Sequence, residues 1–282
     1  MLEFPDFFDI PLAEVIDKGM DWLLANWGGF FDLVGEGILK LLLYIEKFFL
    51  WLPWPVVILL VGAAGWRLMG RWRYGILLAV LLLLIGGFGY WELAMMTLAL
   101  VTGAVLLSLV IGIPAGIIMA KNDLVESIVK PILDAMQTMP SFVYLIPALM
   151  FFGLGKVPAL FATIIYAVPP VIRLTNVGIR EVSVSVVEAA KAFGSNPWQV
   201  LFYVELPLAR PSIMVGINQT TMMALAMVVI SSMIGARGLG LEVLLAINRI
   251  EVGRGFEAGL CIVILAIIID RLTNAMASRQ KE

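Results

Sequence analysis

The sequence contains no histidine and a single cysteine, Cys261, in the apolar run LCIVILAIIID. A disulfide within the chain is therefore excluded. Zinc or haem sites built on His or Cys, and histidine-based triads, have no side chains to draw on. Cys261 sits in apolar surroundings that disfavour a thiolate and reads as an inert packing or lipid-facing residue. Charge is also scarce: 14% of the 282 residues are charged, against about 25% in soluble domains. The net charge of −2 by itself says nothing about a nucleic-acid partner, and none is expected of this chain. The opening MLEFPDFFDIP is acidic, whereas a cleavable signal begins basic and turns apolar, so no cleaved signal is expected. A phosphate loop, G-x-x-x-x-G-K-S/T, is missing too: GLGK at 153–156 lacks the first glycine and the hydroxyl residue.

What the chain does have is grease. Hydrophobic residues make up 61% of it, in repeated runs long enough to cross a bilayer core roughly 30 Å thick. The fold class is all-α integral membrane. Residues 1–50 are amphipathic rather than spanning. Leu12, Val15, Ile16, Met20, Leu23 and Trp27 form one stripe at helical spacing, and Phe31, Val34, Ile38, Leu41, Leu42, Ile45 and Phe49 form a second. Such helices lie in the membrane interface or pack across other helices.

Seven spans are expected, near 51–66, 74–91, 93–120, 138–153, 157–172, 211–236 and 256–269. The third is charge-free for 28 residues and carries GIPAG, a kink signal; the fourth, with two prolines, should be bent. The seventh is the shortest, with twelve uncharged residues between Glu257 and Asp270. If the loop holding Lys191 is cytoplasmic, twelve Lys and Arg fall on that side and seven on the other. The positive-inside bias selects that orientation, with the N-terminus outside and the C-terminus inside. RLMGRWR (67–73) fits a topological role at anionic headgroups. Asp270-Arg271 reads as a helix-end pair at the cytoplasmic interface, since lone charges deeper in lipid cost about 2.5–3.5 kcal/mol each.

A polar patch interrupts this pattern in the longest cytoplasmic connection, residues 174–210: EAAKAFGSNPWQVLFYVELP. Glu188–Phe193 favours a helix, which Gly194 stops as a C-terminal cap. Asn196 can cap a second short helix, with Pro197 at its first position and Gln199 three residues after the cap. Leu206-Pro207 should end that helix and turn the chain back to the membrane. The product is an elbow with small residues on one leg and an apolar ridge, Trp198, Val200, Leu201 and Phe202, on the other. From the residues alone it is either a hairpin packed on its own bundle or a docking lever.

Other polar positions are equally open. GARGLG (235–240), with Gly238 and Gly240, reads as a flexible re-entrant turn at the outer end of the sixth span, serving as a gate, a docking surface or a plain linker. Asn218, Gln219, Thr220 and Thr221 lie in a span and must be satisfied by another helix or by a pathway. Phe142 and Tyr144 are packing aromatics or ring faces for a quaternary ammonium. Spans one to six hold no central carboxylate, which argues against an ion-driven carrier. The lack of His and of an acidic cluster at membrane depth argues against an intramembrane enzyme.

The spacing Glu188-Ala189-Ala190, three residues, Gly194, then nine residues before VELP resembles the coupling motif of membrane subunits of binding-protein-dependent ABC importers. MQTMPSFVYLIPALMFFGLGKVP, PPVIRLTNVGIREV, INQTTMMALAMVVISSMIGARGLG and ILAIIIDRLT resemble the glycine betaine/proline betaine/choline permease branch, over roughly 93–273. The resemblance implies a type I ABC importer permease with a transmembrane domain like that of methionine importers. Its parts would be residues 1–50 as interfacial or scaffold helices, 51–92 as two accessory spans, 93–275 as the core and 276–282 as a cytoplasmic tail. It implies two cytoplasmic ATPase subunits, a second permease copy, a periplasmic substrate-binding protein and a bacterial inner-membrane location. ATP and Mg would be bound by the ATPase, leaving this chain with no cofactor and no catalytic role. Glu188, Ala189, Ala190, Gly194, Leu206 and Pro207 would be the coupling residues, with Glu188 holding the loop by charged hydrogen bonds. An importer of methionine or another small solute is the alternative within the class.

Overall fold

Helix is the dominant conformation in the structure, a computed structural model that describes residues 11–278. The acidic opening, Arg279, Lys281 and most of the expected tail lie outside the described residues. Each expected span coincides with helix, but the segments are not equal. Four stretches are each long and apolar enough to cross a membrane alone: α4 (Trp91–Lys121), α7 (Lys156–Arg180), the continuous Pro197–Ile234 and α12 (Val252–Ser278). Helices α2 (Trp54–Met69) and α3 (Trp72–Gly87) have 16 residues each, about 24 Å at 1.5 Å per residue. The fourth expected span is a corner. Helix α5 (Asp123–Thr138) meets Ser141–Phe152, a 3₁₀ turn followed by α6 (Leu145–Phe152), at 110°. Pro140 sits at the break, where its fixed φ and missing N–H interrupt the ladder. The count is thus four spans, or six if each bent pair is taken as one.

The two amphipathic stripes of the N-terminal region form one helix, α1 (Leu12–Trp51), 40 residues long and bent 94° from α2. Gly28-Gly29, between the stripes, stays helical. Tertiary contacts hold its second half. Phe31 stacks on Phe151 at 4.3 Å, Leu42 is buried in the main core, and Glu46 accepts from Lys156 Nζ at 2.8 and 2.5 Å.

Helices α4, α7 and α10 (Leu206–Ser231) make the centre. Their approach depends on small residues, as in membrane bundles generally. A Cβ on Gly116 would lie 2.7 Å from Ile172 O, and one on Gly216 would lie 3.2 Å from Val171 Cα. This packing explains a departure from the sequence reading. Helix α7 does not end at AVPPVIR but continues through buried Pro169 and Pro170 to Arg180, held between α4 and α10. The polar connection therefore starts at 181, not 174. Pro114 lies inside α4, where the sequence reading expects a kink but no break. A second core joins α2, α3 and the start of α4 to Cys261, Ile264, Leu265 and Ile268 of α12. Residues 239–249, between the sixth and seventh expected spans, form a further helix, α11 (Leu239–Arg249).

Candidate coupling and pathway sites

One end of the bundle carries the elbow. Its first leg, α8 (Val184–Ala192), has no buried residue. The leg ends as its sequence dictates. Gly194 takes φ +84°, its N–H donates to Lys191 O at 2.9 Å, and Ser195 N–H donates to Ala190 O at 3.1 Å. This is the paired bonding of a Schellman cap, whose left-handed residue favours glycine. Asn196 then closes a reciprocal box with Gln199, both bonds 2.8 Å, and Pro197 opens the next turn, α9 (Pro197–Val200). The elbow is thus a self-contained unit whose caps come from its own residues.

Leu206-Pro207 does not end the second leg. Leu201–Glu205 winds as a π-helical turn and passes directly into α10, so 197–234 is one continuous helix. The wider i→i+5 turn accommodates the ring of Pro207 and its missing N–H. Apolar side chains on the elbow stay uncovered: Phe193 is 89% exposed, and Trp198, stacked on Phe202, is 69% exposed. Glu188 and Ala189 are exposed, and Ala190 and Leu206 are partly so. The charged hydrogen bonds expected of Glu188 are absent among the described residues. A different acid does the holding. Glu205, with its side chain 7% exposed, accepts from Lys121 at the end of α4. Sequence reasoning missed this pair because its members lie 84 positions apart. Next to it, Arg180 at the end of α7 bonds Asn176, Met119 O, Asp123 and Glu126.

The polar span residues separate. Asn218 donates to Asp270 at 3.1 Å, as does Asn274 at 2.8 Å, so Asp270 is tied to α10 rather than paired with Arg271 at a helix end. Helix α12 runs on past it to Ser278. Thr221 bonds Ile217 O, and Gln219 is exposed. Asn218 Oδ1 and buried Thr220 Oγ1 have no hydrogen-bond partner among the described residues. Phe142 and Tyr144 do not share a face. Phe142 is 53% exposed, while Tyr144 is buried against Tyr166 and donates to Met136 O. Together they make no cage for a cation within one chain.

At the opposite end the 235–240 turn is pinned, not loose. Gly155 N–H donates to Ile234 O, and Leu239 N–H donates to Thr97 Oγ1, both at 2.9 Å. Gly238 takes φ +151° and its Cβ would lie 2.6 Å from Thr97 Oγ1. A Cβ on Gly240 would lie 2.8 Å from Val228 O. No three His, Cys, Asp or Glu side chains converge as metal ligands among the described residues.

Comparison with known proteins decides the family. Residues 112–282 match the family described as binding-protein-dependent transport system inner membrane component. The chain belongs to that family. It is 50% identical to the glycine betaine/carnitine transport permease protein GbuB of Listeria monocytogenes, over 98% of this chain and 99% of that one. It is 45% identical to the glycine betaine transport system permease protein OpuAB of Bacillus subtilis, over 96% of each. It is 46% identical to the glycine betaine/proline betaine transport system permease protein ProW of Escherichia coli, over 95% of this chain and 75% of that one. Among solved structures, the inward-facing MetNI methionine ABC transporter superposes with a TM-score of 0.61 at 21% identity, over 66% of this chain and 94% of the other. That likeness carries the fold, a type I ABC importer permease. As a member of the family, the chain is a multi-pass inner-membrane permease subunit of an ABC importer, not an enzyme. It works with a separate ATPase and a substrate-binding protein.

Proposed function

We propose that this chain is the permease of an ATP-driven importer of quaternary-ammonium compatible solutes: glycine betaine, proline betaine, choline or a related N-oxide. Identity of 45–50% to glycine betaine permeases across nearly the whole chain carries this reading. The elbow end is cytoplasmic, and α2 and α3, though short, each cross beside the bent α5–α6, so seven crossings put the N-terminus outside and the C-terminus inside. Two copies of the chain form the pathway and two ATPase subunits, which bind ATP and Mg, drive it. Residues 93–275 are the core, 51–92 an accessory pair, and α1 an interfacial scaffold.

Residues Glu188, Ala189, Ala190 and Gly194 seat the first leg of the elbow in a groove on the ATPase. The support is physical: α8 buries no residue, is capped at its C-terminal end and is flanked by uncovered aromatic rings. Leu206 and Pro207 carry its motion into α10. ATP-bound closure swings the elbows and opens the pathway outward to a loaded binding protein, and hydrolysis resets it inward-facing. Asn218, Thr220 and Thr221 lie toward the pathway, Gln219 faces a neighbour, and Gly238 and Gly240 fix the outer gate. Phe142 offers a ring face for weak cation contact.

The test is uptake of labelled glycine betaine into vesicles holding the full transporter, challenged by choline, trimethylamine N-oxide and methionine. Competition by the first two and none by methionine is expected. Competition by methionine alone would put the chain with the importers of other small solutes. Uptake driven by an ion gradient without nucleotide would make it a carrier.

A further inference from the structure

Between the elbow and the bundle lies a cavity of about 570 Å³, walled by Ile117, Ile118 and Lys121 on one side and Trp198, Leu201 and Glu205 on the other. One ion pair crosses it, Lys121 to Glu205. The two roots of the elbow are anchored differently. The α7 root is tied by Arg180 to Asn176, to Met119 O and to two carboxylates on α5, a many-bonded corner. The α10 root is a π-helical turn, a form that recurs at functional sites. Among the described residues its polar attachment to α4 is the carboxylate of Glu205. Alongside it, Leu201 makes an apolar contact with the end of α4.

Burying one carboxylate is a costly way to stabilise a helix junction, because desolvation offsets most of the attraction and an apolar pair of similar size would serve as well or better. What such a pair supplies is register: it fixes which turn of α10 moves with which turn of α4. The open space around it lets the second leg shift without collision. We propose that Glu205 and Lys121 are positioning residues forming the contact through which motion of the elbow is passed to α4. This rests on reading the elbow as the ATPase contact.

The experiment uses the whole transporter in vesicles, with its ATPase and binding protein, and reads solute molecules moved per ATP hydrolysed. Glu205→Gln and Lys121→Met should each lower that ratio about tenfold, a shift in the range of measured coupling energies, while hydrolysis continues. The double variant Lys121→Glu with Glu205→Lys should restore most of the ratio, because the contact is remade with its charges exchanged. Lys130→Met, an exposed change on α5, should leave the ratio at the wild-type value. A wild-type ratio in both single variants would overturn the proposal. So would uptake and hydrolysis falling together at constant ratio, which marks a purely structural pair, or a charge exchange that restores nothing. If the wild-type transporter moves no glycine betaine, the substrate reading fails instead. The ratio is then read with whichever solute the binding protein delivers.

Discussion

The two ends of the bundle are built on opposite principles. At the elbow end, α8 buries nothing and its shape comes from bonds among neighbours in sequence: the Gly194 cap and the Asn196–Gln199 box. At the other end, the 235–240 turn owes its shape to partners far along the chain, Thr97, Gly155 and the backbone of α10. A part stabilised locally can move as a rigid piece, because moving it breaks few tertiary contacts. A part stabilised by close packing cannot shift without disturbing the helices that hold it. The contrast suits a lever at one end and a fixed closure at the other.

Substitutions at glycines should expose this contrast most sharply. Gly240→Leu drives a side chain into α10 backbone. It should cost about 3 kcal/mol or more, with little folded protein recovered by size-exclusion chromatography in detergent. Gly194→Trp meets open space, with nothing within 4 Å of the added Cβ. The strain of φ +84° costs about 1–3 kcal/mol locally, so the variant should fold and insert. It should nevertheless lose ATP hydrolysis stimulated by the binding protein, and normal transport by it would remove the elbow from coupling. Thr97→Val takes away the acceptor for Leu239 N–H, leaving a buried donor bare at about 1–3 kcal/mol. A melting temperature lowered by several degrees is the expected reading. Asn196→Ala should be mildest, at about 1 kcal/mol. It should reduce transport a few-fold with no measurable change in the melting of the bundle.

The same division decides what the sequence could disclose. Both elbow caps were legible because their rules act over three to five residues. A bend in the fourth segment was legible from its two prolines, but its place at Pro140 and the helix α5 before it were not. The paths of α7 through Pro169-Pro170 and of α10 through Pro207 were not, because each depends on packing or on a widened turn that overrides a local breaker. Helix α11 is short, and its buried residues, Leu239, Gly240 and Ala246, face partners in other segments. The Lys121–Glu205 pair had no local signal at all. Family membership was carried by the coupling motif and by long matching runs, whereas the partnering of Asn218 with Asp270 needed coordinates.

The central claim is that α8 is covered by the ATPase in the working transporter, and thiol labelling tests it most directly. Cys261 is buried, so Ala189→Cys supplies one accessible thiol on the exposed leg. In inside-out vesicles the account predicts rapid maleimide labelling of the permease alone and strong protection once the ATPase is bound. Labelling that is equally fast with the ATPase bound, or that occurs only from the outer face of the membrane, would contradict it.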